Sequence, residues 1–355
     1  MDLLFFAKVV IGGLLSGVMY SLVALGYVLI FKASGVFNFA QGSMVLFAAM
    51  TFAGLIAILH SQHPGDLMFW VAMVITLVIM IGVAIGTERF VLRPLVNQPL
   101  IILFLATLGL SYLLEGTAQG VWGSVVRPID IGVQERPIDV LAELGFTASP
   151  APAQAATAAA AAPKAAAPAA DSASDDSDDI KIETLDVPVA APRSGLIVSQ
   201  FDLFAAVVAG ALVISLAAFF NYTRIGRALR AVADDHQAAL SVGIPLQFVW
   251  SIVWGAAGVV ALVAGLLWGA RIGGQFLLTF VALKALPVLI IGGFTSISGA
   301  IVGGLIVGLI EKLAEVYFGP FVGGGVESWF AYAVATVFLL FLPQGLFGEK
   351  MIQRV

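Results

Sequence analysis

YTRIGRALRAVADDHQAALSVGIP, residues 222–245, is a polar, basic stretch between two long apolar runs, and it is the feature around which the chain is organised. Its arginines recur every three residues, at Arg224, Arg227 and Arg230. Residues 231–242 contain almost no helix breaker, so the pattern predicts a short amphipathic helix with a basic lead-in, which Gly243 ends. The alternative is an ordinary cytoplasmic loop that follows the positive-inside rule.

The composition is that of a membrane protein. Hydrophobic residues make up 60% of the chain and charged residues only 11%, and the mean hydropathy is +1.04. A water-soluble fold could not hide this much apolar surface, so we expect a polytopic membrane protein. A cleavable signal peptide is not expected, because Asp2 leads and the first apolar stretch is too long.

Nine apolar segments are long enough to be considered as membrane helices. They are residues 9–31, 44–59, 68–87, 100–122, 204–222, 246–270, 276–294, 297–316 and 329–346. The predicted fold class is therefore all-α, a polytopic transmembrane helix bundle with eight or nine spans. Residues 88–99 are interpreted as a charged, proline-bounded connection on the cytoplasmic side.

The chain divides into three parts. Residues 1–122 are predicted to form the N-terminal transmembrane helices, and residues 200–355 the C-terminal ones, with a cytoplasmic coupling loop at 223–245. Residues 123–199 lie between them and hold eleven acidic residues against five basic ones, with an Ala/Pro-rich tract at 147–170. Such a composition cannot bury a core, so we interpret this segment as a disordered extracytoplasmic insert.

A polar break separates the first two apolar segments. It reads SGVFNFAQGS, residues 34–43, and its candidate substrate-contacting side chains are Asn38 and Gln41. The second apolar segment is short, and interrupted spans often border transport pathways. These amides could hydrogen-bond a passing zwitterion or satisfy the broken backbone. A surface turn is the alternative.

Glycines at a spacing of four predict close helix packing, because they let two backbones approach. The densest set is Gly299, Gly303, Gly304 and Gly308. The same spacing recurs at Gly13/Gly17, Gly82/Gly86 and Gly265/Gly269. A role in ligand binding is less favoured, since glycine has no side chain with which to recognise a substrate.

Ionisable residues inside the spans should face the interior and pair, because each costs about 2.5–3.5 kcal/mol at a helix centre. Lys284 is the deepest, and its candidate partners are Glu115, Glu311 and Glu315. Lys312 could also pair with Glu315 within one helical turn. A structural ion pair is favoured over a proton relay, because no file of acids or histidines runs through one span.

Four segments together resemble the permease subunits of bacterial branched-chain amino acid ABC importers. They are IGGLLSGVMYSLVALGYVLIFKASGVFNFAQG (11–42), RIGRALRAVADDHQAALSVGI (224–244), GGFTSISGAIVGGLIVGLIEKL (292–313) and FLPQGLFG (341–348). The resemblance extends over nearly the whole chain except about residues 127–193, and amide or urea importer permeases share most of these motifs. It implies a location in the bacterial cytoplasmic (inner) membrane. It also implies cytoplasmic ATP-binding cassette subunits, a second, related permease subunit and a periplasmic substrate-binding protein as partners.

Within the basic segment, the resemblance extends to the EAA-x-x-x-G signature through which importer permeases engage their ATPases. This chain has Gln in place of the Glu and lacks the I-x-L-P continuation. The residues assigned to ATPase coupling are Arg227, Arg230, Gln237, Ala238, Ala239 and Gly243. We interpret the predicted helix as a lever that passes ATPase closure on to the spans.

The chain contains no Gly-x4-Gly-Lys-Ser/Thr phosphate loop, so the energy for transport must come from a partner. Cysteine is absent and the three histidines form no ligand cluster, so we expect no metal, no cofactor and no nucleic acid partner. No catalytic motif indicates an enzyme. A secondary transporter or channel for a small polar solute is the alternative function, although no internal duplication supports it. Whether the substrate is a branched-chain amino acid, an amide or another small acid is left open.

Overall fold

The structure is a computed structural model that describes residues 3–62, 66–95, 98–133, 136–139, 197–234 and 236–348. Within these ranges the chain is almost entirely helical. The helices are α1 (Leu3–Ser34), α2 (Gln41–Gln62), α3 (Asp66–Gly86), α4 (Leu100–Trp122), α5 (Gln200–Tyr222), α6 (Arg224–Asp234), α7 (His236–Ser241), α8 (Leu246–Ile272), α9 (Leu278–Gly292), α10 (Ile297–Val322) and α11 (Phe330–Phe341).

The predicted fold class is confirmed. Seven of the described helices are long and apolar enough to cross a membrane, and α9 and α11 are shorter apolar helices. These nine correspond one to one with the nine apolar segments of the sequence. The remaining two helices, α6 and α7, come from the basic segment.

Helix α1 lies at the centre of the bundle. It packs along α10 for most of its length and also contacts α5, α8 and α9. From Leu22 to Ile30 every residue is buried, on all faces of the helix. A helix that is apolar all round belongs in the interior, and this one forms the core on which the others pack.

Glycines on α10 allow close contact with two different helices. A β-carbon on Gly308 would lie 2.5 Å from the Gly13 carbonyl oxygen, so this face of α10 touches the α1 backbone. A β-carbon on Gly303 would lie 2.5 Å from the carbonyl oxygen of Val288, so the neighbouring face touches α9. Glycines on two faces of α10 therefore allow its backbone to contact both α1 and α9 directly.

Two of the other glycine pairs differ in behaviour. A β-carbon on Gly265 would lie 2.6 Å from the Val45 carbonyl oxygen, so α8 packs closely on α2 there. No atom of the described chain lies within 4 Å of a β-carbon placed on Gly82. The expectation of close packing at Gly82/Gly86 was wrong within this chain, because spacing alone does not tell which face of a helix has a neighbour.

The polar break between α1 and α2 lies inside the bundle. The Thr107 hydroxyl donates to the carbonyl of Phe37 at 3.4 Å, and Ser43 is 2.6 Å from Ser111. Thr107 and Ser111 are seven and eleven residues beyond the start of α4 at Leu100, which is about 10 to 16 Å along its axis. The alternative of a surface turn was therefore wrong.

A second break lies opposite the first. Helix α8 ends at Ile272, and α9 begins at Leu278 within the bundle. A β-carbon on Gly42, in the first turn of α2, would lie 2.5 Å from the carbonyl oxygen of Thr279 in the first turn of α9. Two helix N-termini thus meet in the interior, which explains why α9 is short.

The predicted connection at residues 88–99 is largely helical. A π-helical stretch, Thr87–Leu92, and a short 3₁₀ turn, Arg93–Leu95, carry α3 onwards. Glu88 is fully buried there, paired with Arg93 at 3.2 Å, and it accepts a hydrogen bond from Ser251 of α8 at 2.9 Å. A charged, proline-bounded sequence is typical of a loop. Here the two charges neutralise each other within one helical segment, and the Ser251–Glu88 hydrogen bond joins that segment to α8.

The two ends of the insert are folded. Strand β1 (Pro137–Asp139) pairs antiparallel with β2 (Ile197–Ser199), and Arg127 forms a backbone bridge with Gly274. Ile129 is buried. The expectation of disorder was therefore wrong for these ends of 123–199, and the Ala/Pro-rich and acidic centre of the segment lies outside the described residues.

Candidate functional site

The basic segment forms two helices at one end of the bundle. Thr223 starts α6: its hydroxyl donates to the Phe219 carbonyl at 2.6 Å and accepts from the Gly226 N–H at 3.2 Å. Leu229 and Val232 are buried, so α6 lies with its apolar face on the bundle, where it contacts α1, α5 and α8. The predicted amphipathic helix therefore begins at Arg224 rather than at residue 231.

The arginines of α6 have different environments. Arg230 donates to the carbonyl of Phe220 at 2.9 Å and to that of Asn221 at 3.3 Å, so its guanidinium caps the end of α5. Cations are favoured at a helix C-terminus. Arg227 is exposed. Of these two, only Arg227 is free to meet a partner, whereas Arg230 fixes the angle between α5 and α6.

Helix α7 ends in a Schellman motif. The Gly243 N–H donates to the Leu240 carbonyl at 3.0 Å, and the Ile244 N–H donates to the Ala239 carbonyl at 3.0 Å. Gly243 has a φ of +84°, a conformation that only glycine adopts without strain. No atom of the described residues lies within 4 Å of a β-carbon placed there, so the requirement for glycine comes from the backbone conformation.

The side chains around this turn point in opposite directions. Ala239 is 3% exposed and packs in the core, so it holds α7 on its own chain and does not present itself to a partner. Leu240 and Val242 are 56% and 80% exposed. Sequence reasoning missed these two, because an apolar residue in such a segment is first read as buried. Gln237 and Ala238 belong to α7, but their side chains lie outside the described residues.

The polar break has two distinct parts. Asn38 is fully buried, and its Oδ1 accepts from the Ala40 N–H at 3.1 Å, so it organises the turn that leads into α2. Gln41 is also fully buried, and its Oε1 accepts from Asn38 at 3.3 Å. Its Nε2 has no hydrogen-bond partner in the described chain. Buried polar groups are nearly always satisfied, so this donor stands out.

A further polar cluster lies beside the break. Ser43 donates to Glu115 Oε1 at 2.7 Å, and Ser111 donates to the same oxygen at 3.3 Å. The buried carboxylate of Glu115 thus joins α2 to α4 through hydroxyl groups. Glu115 had been a candidate partner of Lys284, and that expectation was wrong.

The other expected intramembrane ion pairs are also absent from the described residues. Glu315 accepts from the backbone N–H groups of Gly325 at 3.1 Å and Glu327 at 2.9 Å, so its carboxylate closes the turn after α10 and is not paired with Lys312. Lys284 donates to the Tyr20 hydroxyl at 3.4 Å. The ion pairs within 4 Å in the described ranges are Arg93–Glu88 and Arg271–Asp202. Spacing along one helix could not reveal that backbone donors would compete for these carboxylates.

This bundle, with interrupted helices meeting in its interior and an amphipathic helix pair at one end, is that of a multi-pass membrane protein. Residues 9–343 match the family described as the permease component of branched-chain amino acid transport systems. The match spans most of the chain, and the chain belongs to this family.

Curated relatives extend over almost the full length. The chain is 24% identical to the high-affinity branched-chain amino acid transport system permease protein LivH of Escherichia coli K12, over 99% of this chain and 98% of that protein. It is 25% identical to LivH of Salmonella typhimurium, with the same coverage. It is 22% identical to BraD of Pseudomonas aeruginosa, over 97% of this chain and 96% of that protein. No solved structure matched the chain.

Proposed function

We propose that this chain is a permease subunit of an ABC importer and forms part of the translocation path for branched-chain or related small amino acids. Separate cytoplasmic ATPase subunits drive the transport, a periplasmic binding protein delivers the substrate, and a second, related permease subunit completes the path. The observation that carries the proposal is the α6–α7 pair, which combines packing against the bundle with an exposed, basic and apolar outer surface.

The outer surface of this pair has the features of a docking site. Leu240 and Val242, two positions apart in the chain, both expose apolar side chains, and Arg227 adds a positive charge. Contiguous exposed apolar surface marks contact sites more often than isolated apolar residues do. The inner surface is held by Leu229, Val232 and Ala239. A push on the outer surface is therefore transmitted to the ends of α5 and α1.

The interrupted helices support a path through the bundle. The N-termini of α2 and α9 meet in the interior, and helix N-termini carry a partial positive charge. Breaks of this kind border transport pathways in other membrane proteins. We propose that the unpartnered amide of Gln41 belongs to the path and that Asn38 shapes the turn beside it.

The proposed coupling is tested by co-purification and by ATPase activity. The complete complex is assembled with Leu240→Asp or Val242→Asp in this chain, and the control is Val125→Asp, because Val125 is 73% exposed and comes just after α4, at the opposite end of the bundle. We expect the ATPase subunits to be lost, or their stimulation by loaded binding protein to be abolished, in the first two variants only. Normal association and stimulation in both would contradict the proposal.

A secondary transporter would behave differently in the same assay. It would carry substrate without any ATPase, and uptake into proteoliposomes would follow an ion gradient. Uptake by the purified chain alone would therefore contradict the proposed ABC importer function and support a secondary transporter.

A further inference from the structure

A cavity of about 320 Å³ lies between α1, α8, α9 and α10. Its lining includes formal charges of both signs, with Arg271, Lys284 and Lys312 against Glu311 and Glu327. Aromatic and aliphatic side chains complete the wall, among them Trp268, Phe280 and Val281. The volume is at the lower end of the range for ligand pockets, which suits a molecule of amino acid size.

Opposite charges in this cavity form no direct ion pair and are joined only through the hydroxyl of Tyr20. Glu311 is only 4% exposed and forms no ion pair within 4 Å with any residue of the described chain, and its carboxylate interacts with the Tyr20 hydroxyl. Lys284 donates one hydrogen bond, to Tyr20 at 3.4 Å, which is long for a charged donor, and its ammonium lies 5.7 Å from the centre of the same ring. An ammonium has three donors, so most of its capacity is unused.

The neighbouring tryptophan adds another unused donor. Trp268 stacks on Tyr20 with ring centroids 5.6 Å apart, and it is 8% exposed. Its Nε1 has no hydrogen-bond partner in the described chain. An indole N–H can only donate, so it complements an anionic or carbonyl oxygen and not a cation.

We propose that this cavity is a transit site for an α-amino acid in its zwitterionic form. Lys284 and Trp268 Nε1 supply donors for the carboxylate, and Glu311 accepts from the ammonium. Phe280, Val281 and Leu277 surround the side chain. The cavity would thus select for an apolar amino acid by charge and by size. This inference rests on the proposed transport function and specifies the substrate class at one place in the chain.

A purely structural ion pair is the competing explanation, and the geometry weighs against it. Two opposite charges removed from water gain most when they touch and share hydrogen bonds. Here both border the same open space, and only the Tyr20 hydroxyl lies between them. Intramembrane ionisable residues also tend to mark substrate pathways, because their burial is otherwise costly.

The experiment uses the absence of cysteine from this chain. Ser16 lines the cavity, and Ser16→Cys introduces a thiol with little change in size. The rate at which a small, membrane-impermeant methanethiosulfonate labels this thiol is measured in the complete complex, in spheroplasts. L-leucine, L-leucinamide and 4-methylpentanoate are added as probes. The last two lack the carboxylate and the ammonium, respectively.

We expect L-leucine to slow labelling and the two analogues to have little effect at the same concentration. Removing a charged hydrogen-bonding group from a site costs about 1.5–3 kcal/mol, so Lys284→Met and Glu311→Gln should raise the half-protecting concentration of L-leucine by at least about tenfold. Lys284→Arg keeps the charge and should retain most of the protection, which separates loss of binding from misfolding. Lys8→Met is the control, because Lys8 is exposed and does not line the cavity.

Three results would overturn the inference. They are a thiol that is not labelled at all, labelling that L-leucine does not slow, and full protection by 4-methylpentanoate or by L-leucinamide. Unchanged protection in Lys284→Met and Glu311→Gln would overturn the assigned roles. ATPase stimulation by loaded binding protein is recorded on the complex purified from the same cells and reconstituted. Its loss refutes the proposed function, whereas its presence without protection refutes only the transit site.

Discussion

Gly17 and Gly304 face each other at backbone distance. A β-carbon on Gly17 would lie 2.6 Å from the Gly304 carbonyl oxygen, and a β-carbon on Gly304 would lie 2.8 Å from the Gly17 carbonyl oxygen. Neither distance leaves room for a methyl group. Ser21, one turn further along α1, donates to the Ile301 carbonyl at 3.1 Å, so a hydrogen bond extends the same contact. The seam between the first and the tenth helix therefore depends on the absence of side chains.

Gly304→Leu and Gly303→Leu should both reduce the amount of folded protein. Each leucine must displace backbone, of α1 in the first case and of α9 in the second, and overpacking a tight interior costs typically about 1–3 kcal/mol or more. The measurement is the yield of monodisperse protein and its thermal midpoint in detergent or nanodiscs.

Gly12→Leu is the matched control, because no atom of the described chain lies within 4 Å of a β-carbon at Gly12, next to the packed Gly13. It should accumulate normally. Normal yields for the Gly303 and Gly304 variants would contradict the packing argument.

Substitutions at Gly243 should act through the backbone. The φ of Gly243 is positive and its surroundings are open, so the effect of a substitution depends on how well the new residue adopts a positive φ. ATPase stimulation should be nearly normal in Gly243→Asn, lower in Gly243→Ala and lowest in Gly243→Val. The strain is about 1–2 kcal/mol and is confined to the turn after α7. We expect graded loss of ATPase stimulation by loaded binding protein at constant protein level. Equal stimulation across the series would mean that this turn is only a connector.

Gln41→Leu separates a structural role from a role in the path. The substitution removes the unpartnered Nε2 together with the Oε1 that accepts from Asn38 at 3.3 Å, so the two effects oppose each other and we expect little net change in stability. We therefore expect normal assembly with reduced substrate uptake. Asn38→Ala removes the side chain that accepts from the backbone of this turn, so the free energy of unfolding should fall by about 1–3 kcal/mol. The thermal midpoint should fall with it. Wild-type uptake by Gln41→Leu would exclude this residue from the path.

Arg93→Ala should destabilise the protein strongly. It leaves the carboxylate of Glu88, whose side chain is 1% exposed, without its counter-charge, and breaking one side of a buried pair costs about 3–5 kcal/mol. Removing both charges with Glu88→Gln and Arg93→Met should recover much of the loss. Arg89→Ala, in the same helical turn but exposed, serves as the control in thermal unfolding. A double variant no better than Arg93→Ala would argue against the pair.

Deleting residues 148–179 should leave folding and transport nearly intact. Strands β1 and β2 pair at the base of the insert, so its ends stay together whatever its length, and loop closure depends only weakly on length. External protease should cut intact spheroplasts within this segment. Failure of the deletion to assemble, or protection from external protease, would show that the segment is part of the folded core or lies on the cytoplasmic side.

The sequence predicts the helices well because each span must satisfy its backbone internally, which makes apolar length a strong signal. It also predicts that Gly243 ends a helix. It could not predict which face of a helix meets a neighbour. Gly303 and Gly82 have the same spacing pattern, yet among the described residues only Gly303 has a packing partner.

Polar partners within the membrane were equally hard to infer. Glu115 and Glu315 could pair with lysines by charge. In the folded chain, however, serine hydroxyl groups donate to Glu115 and backbone N–H groups donate to Glu315. Ala239 fits the coupling signature by type and faces inward, while Leu240 and Val242 face outward without any motif. Sequence signals identify the segment, and the direction of each side chain is set by packing between elements distant in the chain.

The α1–α10 seam also constrains how the protein is made. Ser21 and Ile301 are 280 residues apart, so at about 5–20 residues per second the ribosome takes roughly 14–56 s to supply the partner of the first helix. During that interval α1 must remain stable in lipid without its contact to α10, the helix with which it packs most extensively. No residue between Lys8 and Lys32 is charged, so α1 can be stable in the bilayer before its partner helix is made. The helix that lies at the centre of the folded protein is therefore also one that tolerates full exposure to lipid.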